Sequence, residues 1–526
     1  MATASYLLNR YALIGDVGVR ARYVIKRALW PIATILAVEL AILGLSADPA
    51  TACFFLIGLG CILALAVWAN FGEGLPILPL LALENLVAYA LPIAMHNENV
   101  VTYSADQLTS AGIEVFLSSV AMALTWRATM IMMNPASALC YALQGFDQKA
   151  GKLARLAFTL VVLSTSYEIL RSAGVLNIFL ALLPSGSDSI LHVLTSAASA
   201  CGFFLSGMML GRNEVSRYQR LMFWVCLSAQ CFIVASDFLL SSIVTIIFAA
   251  IIGLFWGSGK VPWRFVIVTF TILSFLNVGK FVMRERYWGE NGVDRAPQFS
   301  LTEMPAHYSE WITSSFDVLT QSAPEKARAN FNGFGQTPDT APTKQTLLER
   351  INNLQNLLYV IDVMESRHIK PLDGATYTLI PPLLVPRILW PNKPRTHEGQ
   401  ILLNVHFGRQ DLNSTFETYI AWGLLPEAYG NFGPRVGGIV LGAFLGFSFA
   451  WLERFLARKL LLSMEGFLAF TVFLGMANSY EMVASVLVTS VFQACIPIVL
   501  ASAPFVERII PNRGASTGRS THEASP

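Results

Sequence analysis

Twelve apolar runs, each near the length that crosses a bilayer, constrain this chain more than any motif in it. They cover approximately 28–46, 50–70, 75–95, 112–133, 153–171, 188–211, 219–239, 241–257, 263–283, 435–452, 460–478 and 481–503 of 526 residues. Roughly 20 apolar residues in a helix cross the hydrocarbon layer. Inside that layer no water satisfies the backbone, so each run must bond its own N–H and C=O groups as a helix. Composition agrees. The chain is 54% hydrophobic and 13% charged, with mean hydropathy +0.54, where soluble domains carry about twice that charged fraction. The expected fold is an all-α polytopic membrane protein with about twelve transmembrane helices. The stretches 174–184, 376–390 and 418–429 are apolar but short, and read as re-entrant or interfacial elements packed against protein.

Charge distribution sets the expected orientation. Arg10, Arg20, Arg22, Lys26 and Arg27 precede the first run, and cations recur at every second connection through Arg454, Arg458 and Lys459, whereas 47–49, 96–111 and 172–187 hold no Lys or Arg. By the positive-inside rule both termini are cytoplasmic. The chain then divides into a cytoplasmic N-terminus (1–27), nine transmembrane helices (28–283), a large outer loop (284–434), three further helices (435–503) and a disordered cytoplasmic tail (504–526). No cleavable signal is expected, because the basic start leads straight into a span. A loop of this length inside a compact fold is usually functional. Within it, Leu347, Ile351, Leu354, Leu358 and Ile361 repeat at helical spacing across 344–368, an amphipathic helix that lies along the membrane face or packs on the bundle. The polar region 297–343 reads as loop.

Several function classes are excluded. No basic stripe with interleaved aromatics is present, so no nucleic acid is expected as partner. Seven cysteines lie in or beside apolar runs, against a disulfide framework or a thiolate zinc site. No HExxH, CxxC, acidic DxD-like pair or phosphate loop occurs, so neither metal nor other cofactor is expected. Ionisable groups within spans are costly and mark function or pairing; these are Glu39, Glu84, Arg127, Glu168, Arg171 and Lys280. Lys280, Arg284 and Arg286 place cations at the outer end of a span, against the prevailing bias, and an anionic ligand explains them.

Two pieces carry the chemistry. In IPPLLVPRILWPNKPRTHEG, five prolines stiffen the backbone around Arg387, Lys393 and Arg395. Arginine bonds phosphate bidentately, lysine supplies a point charge, and Trp390 can stack on a sugar ring. In LPEAYGNFGPR, Glu427 is the carboxylate best placed as general base, with helix capping or arginine pairing as the alternative, and Tyr429, Asn431 and Arg435 stand beside it. His397 is a second candidate base. Gly438, Gly442 and Gly446 are spaced by four, a small-residue face for close helix packing.

The order of these elements resembles the Wzy-type oligosaccharide repeat-unit polymerases. The chain has many spans, one large outer loop, the segment PRILWPNKP, and then PEAYGNFG running into a glycine-spaced span, the motifs covering about 377–446. The resemblance implies a GT-C-like glycosyltransferase of a bacterial inner membrane. It would take a polyprenyl-diphosphate-linked oligosaccharide on the periplasmic face and build O-antigen, capsule or exopolysaccharide. It would work beside a flippase and a chain-length regulator. Arg387 would engage the diphosphate with Lys393, while Arg284 and Arg435 correspond by location alone. An O-antigen ligase shares this donor, and a polysaccharide flippase is the reading from another class.

Overall fold

A computed structural model describes residues 13–143, 150–176, 182, 187–238, 240–258, 262–287, 300–320, 352–385, 389–390, 392–416, 420–461, 463–477, 479, 481–502 and 506–509. Each of the twelve apolar runs falls on a helix. These are α1 (Ile14–Leu45), α2 (Thr51–Phe71), α3 (Ile77–Ala94), α4 (Ala105–Met132), α5 (Ala150–Ser172), α6 (Ser187–Gly211), α7 (Arg217–Val234), α8 (Leu240–Ser258), α9 (Trp263–Tyr287) and, after the long connection, three more. Among the described residues, seven helices are long and apolar enough to span a membrane. Helix α1 buries only Ile14, Gly18 and Leu43, and presents Trp30, Ile35, Val38, Ile42 and Leu45 outward. In water so large an apolar face is a liability, and against lipid it is the expected surface.

The long connection is largely helical. It contains α10 (Met304–Leu319), α11 (Leu354–Ser366), α12 (Ile380–Leu384), α13 (Glu398–His406) and α14 (Leu424–Phe432), followed by α15 (Val436–Leu456), α16 (Met464–Met476) and α17 (Ala484–Ser502). Within the loop expected over 297–343, helix α10 corrects the reading at 304–319, and 321–343 lie outside the described residues. Its Trp311 is fully buried and donates to the Leu276 carbonyl at 2.7 Å. The amphipathic helix of 344–368 is described over α11, where Leu354, Leu358 and Ile361 are fully buried. It packs on the bundle and does not float on a membrane face; Leu347 and Ile351 lie outside the described residues. Two short strands, β1 (Cys140–Leu143) and β2 (Val506–Ile509), pair antiparallel, a ribbon not anticipated.

Glycine sets two close helix crossings. A Cβ on Gly438, Gly442 or Gly446 would stand 2.7, 2.2 and 2.3 Å from the carbonyl oxygens of Glu114, Ser118 and Met122, so α15 lies against α4 backbone to backbone. The same device joins α6 to α8, where Gly253 and Gly257 meet the Phe204 and Met208 carbonyls. One end of the α1–α4 bundle is closed by buried Glu453, which accepts from Glu73 N, Gly74 N, Trp68 Nε1 and Trp126 Nε1. The opposite end carries α11 to α14. There Asn353 N bonds the Ala88 carbonyl at 3.0 Å and Gln107 bonds Asp362 at 2.8 Å, which seats this cap on α3 and α4.

Candidate functional site

The LPEAYGNF motif folds as α14, bracketed by Gly423 (φ +96°) and Gly433 (φ +77°), whose left-handed backbone suits residues without a Cβ. Glu427 has zero exposure. Its Oε1 accepts from Thr376 Oγ1 at 2.7 Å and its Oε2 from Ala484 N at 2.6 Å, so the carboxylate closes the start of α17. Asn431, also fully buried, donates to Thr376 Oγ1 at 2.9 Å and to its own helix at the Glu427 carbonyl, 2.8 Å away. Burial pushes the Glu427 carboxyl up to about 7, with the Ala484 and Thr376 donors opposing. Burial, reinforced by Glu427, also holds the Tyr377 phenol well above its ordinary range. Tyr429 is 2% exposed. Of the three readings of Glu427 open in the sequence, this geometry favours helix capping over proton transfer or arginine pairing, because both oxygens are already bonded, to Thr376 and Ala484, away from solvent.

Arg387 lies outside the described residues. Lys393 is 9% exposed, and its Nζ donates to the Leu383 and Val385 carbonyls at 2.8 and 2.6 Å. It therefore serves the C-terminal end of α12, where a cation meets the negative pole of the helix. Arg395 pairs with Glu398 at 3.2 Å, both about one-third exposed. The Nδ1 of His397 stands 2.6 Å from Gln400 Oε1, which makes Nδ1 the donor and Nε2 the ring's acceptor nitrogen. Burial pulls His397 below its ordinary pKa, so the ring is neutral at pH 7. Trp390 is exposed.

The remaining cations do not join this group. Lys280 is 8% exposed and donates to Asn277 at 3.0 Å. Arg284 donates through Nε and Nη2 to the Phe238 carbonyl at 3.2 and 2.8 Å, and Arg286 pairs with Glu310 of α10. Arg284 thus ties α9 to the turn that follows α7, and Arg286 ties α9 to α10, while the Lys280 bond stays within α9. Arg435 is exposed, with φ +64° and its backbone N–H on buried Glu114. The sequence candidates thus separate into interior props (Glu427, Asn431, Tyr429, Lys393, Lys280) and outward groups (Arg395, Arg435, Trp390).

Sequence reasoning missed three features. Thr376 is the hub of the Glu427 network, and nothing in a lone threonine of a loop signals that. Ser485 Oγ is buried beside Gly399, without a hydrogen-bond partner among the described residues. Arg409 lies over the rings of Tyr359 and Trp422 at 5.1 and 5.7 Å, and burial lowers its pKa to about 10. Among the described residues no group of three or more His, Cys, Asp or Glu converges as a metal would need.

The cap is preorganised, with Glu427 and Lys393 used as braces and Arg395, Arg435 and Trp390 turned outward. No family model, curated protein or solved structure matches the chain.

Proposed function

We propose that this chain is a polysaccharide polymerase of a bacterial inner membrane, with twelve spans, both termini cytoplasmic and the cap facing the periplasm. Its substrates are polyprenyl-diphosphate-linked oligosaccharide repeat units. The observation that carries the reading is the braced cap itself. Its proline-rich and glycine-rich motifs, those that resemble the polymerase family, are fixed at one end of an apolar helix bundle through Glu427, Asn431 and Lys393. A lipid-linked substrate presents its diphosphate at such a face.

In the reaction, an acceptor hydroxyl attacks the anomeric carbon and the C–O bond to the diphosphate breaks. The electron pair goes to the departing diphosphate, and the hydroxyl proton goes to a base. Fixed cations stabilise the charge that gathers on the leaving group, and alignment of two large substrates lowers the entropic part of the barrier. Arg387 takes the diphosphate by motif position, with Arg395 and Arg435 as outward-facing helpers. His397, neutral with Nε2 as acceptor, is suited to receive the proton. Glu427 acts as a positioning residue.

Arg387→Ala is expected to abolish detectable chain extension in cells at wild-type protein levels, a loss of about 100- to 1000-fold for a leaving-group contact. Normal polymer length in that variant removes Arg387 from the site. Lys393→Ala, by contrast, is expected to lower thermal stability together with activity, because its ammonium closes α12. A Lys393 variant with unchanged melting temperature and lost activity would return it to substrate contact.

A further inference from the structure

Four buried acidic side chains share one device. Glu114, Glu427, Glu453 and Glu465 are each at most 5% exposed, and each accepts backbone N–H groups: from Arg435 and Gly438, from Ala484, from Glu73 and Gly74, and from Tyr141. Glu84 departs from this pattern. It sits within α3, its Oε2 accepts from Ser479 Oγ at 3.2 Å, and its Oε1 is shielded from solvent with no hydrogen-bond partner among the described residues. A carboxylate in an apolar bundle carries a large desolvation cost unless its charge is balanced.

Glu84 borders a cavity of about 30 Å³ whose polar lining is Glu84, Asn85, Tyr89, Ser118, Asn353 and Ser479. Among the described residues that lining holds no lysine or arginine, so none of them balances the carboxylate there. The wall beside Glu84 is a π-helical turn, Leu86–Ala90, a departure from regular helix that often accompanies function. The volume admits a particle the size of a water and excludes a sugar. The lining offers a carboxylate, hydroxyls, a phenol and amides, the oxygen-rich set that hard cations take. One carboxylate balances one positive charge, whereas a divalent ion draws on several.

We propose that this cavity binds a dehydrated sodium ion, with Glu84 as its charged ligand. The site joins α3, α4, the segment entering α11 and the turn between α16 and α17. That same turn delivers Ala484 to Glu427. Ion binding therefore tightens the seat of the cap on the bundle. The inference stands apart from glycosyl transfer and is tested without it.

The test is thermal unfolding of the full chain in detergent, in NaCl, KCl or choline chloride at equal ionic strength and constant pH. The wild-type melting temperature is expected to rise saturably with NaCl, on the order of 3 °C above choline chloride, and less with KCl. Glu84→Gln keeps the volume and removes the charge, and is expected to erase the sodium response. Capture of radioactive sodium by wild-type protein, displaced by NaCl and not by choline chloride, gives the same answer should that variant fail to fold. Equal melting in the three salts with no sodium capture overturns the assignment and leaves Glu84 neutralised by a proton. A sodium response that persists in Glu84→Gln overturns it as well.

Discussion

Gly442→Leu is expected to yield no monodisperse protein on extraction from the membrane. The Cβ alone would stand 2.2 Å from the Ser118 carbonyl oxygen, and that oxygen belongs to a helix backbone that cannot rotate aside. The neighbouring glycines of the stripe, 2.7 and 2.3 Å from their own carbonyls, allow no tilt that relieves the clash. Overpacking a close interface costs about 1–3 kcal/mol even for small additions, and native proteins hold only about 5–15 kcal/mol in reserve. The α4–α15 crossing also positions Glu114 against the start of α15, so separating the helices strips the carboxylate of its Arg435 and Gly438 donors. Gly44→Leu is the control. Gly44 lies in α1 with nothing within 4 Å of an added Cβ, and the substitution should extract normally. Size-exclusion profiles of the two variants decide the matter. A sharp wild-type-like peak for Gly442→Leu would mean that the two helices are not in backbone contact.

Glu427→Ala is expected to loosen the cap. It leaves Thr376 Oγ1 and Ala484 N without their acceptor inside a buried site, at about 1–3 kcal/mol for each orphaned group. Proteolysis within α12 to α14 should accelerate, while α1 to α4 stay protected. The pH dependence has a definite sign. The folded carboxyl keeps its proton up to about 7, while the ordinary value is 4.5. Between those values the folded state binds more protons than the unfolded state. This group's contribution therefore falls as pH rises, by about 1.4 kcal/mol per pH unit at the steepest. The loss is complete above 7. Glu427→Gln cannot ionise, so the wild type should lose melting temperature relative to it from pH 5 to pH 7 and then run parallel. A gap that stays constant over that range would mean a carboxylate already charged throughout.

The helix content of this chain was legible because lipid-facing helices announce themselves by length and hydropathy alone. The glycine stripe was legible for a related reason: spacing by four on one helix has few other uses. Helix α10 was not, because its buried face includes Ser314 beside Met283 and Ser315 against Gly279, and small polar residues on a packed face erase the apolar stripe that signals an amphipathic helix. At the candidate site, the motif around Glu427 was found and the capping role was among the readings weighed. The sequence alone left that choice open, since exposure is a property of the packed state. Lys393 shows the same thing. In sequence it is a cation on a rigid segment, and in the fold its ammonium is committed to two carbonyls of that segment. Arg409 passed unnoticed because the rings it covers, Tyr359 and Trp422, stand 50 residues before it and 13 after it in the sequence.

Product length tests the central claim most directly. Purified protein in lipid vesicles would be incubated with a single synthetic polyprenyl-diphosphate repeat unit, and the glycans resolved on a gel. The account predicts a ladder of added repeats, with lipid diphosphate released in step. A single unchanged band, with transfer appearing only when lipid A core is supplied, would contradict polymerisation and make the chain a ligase.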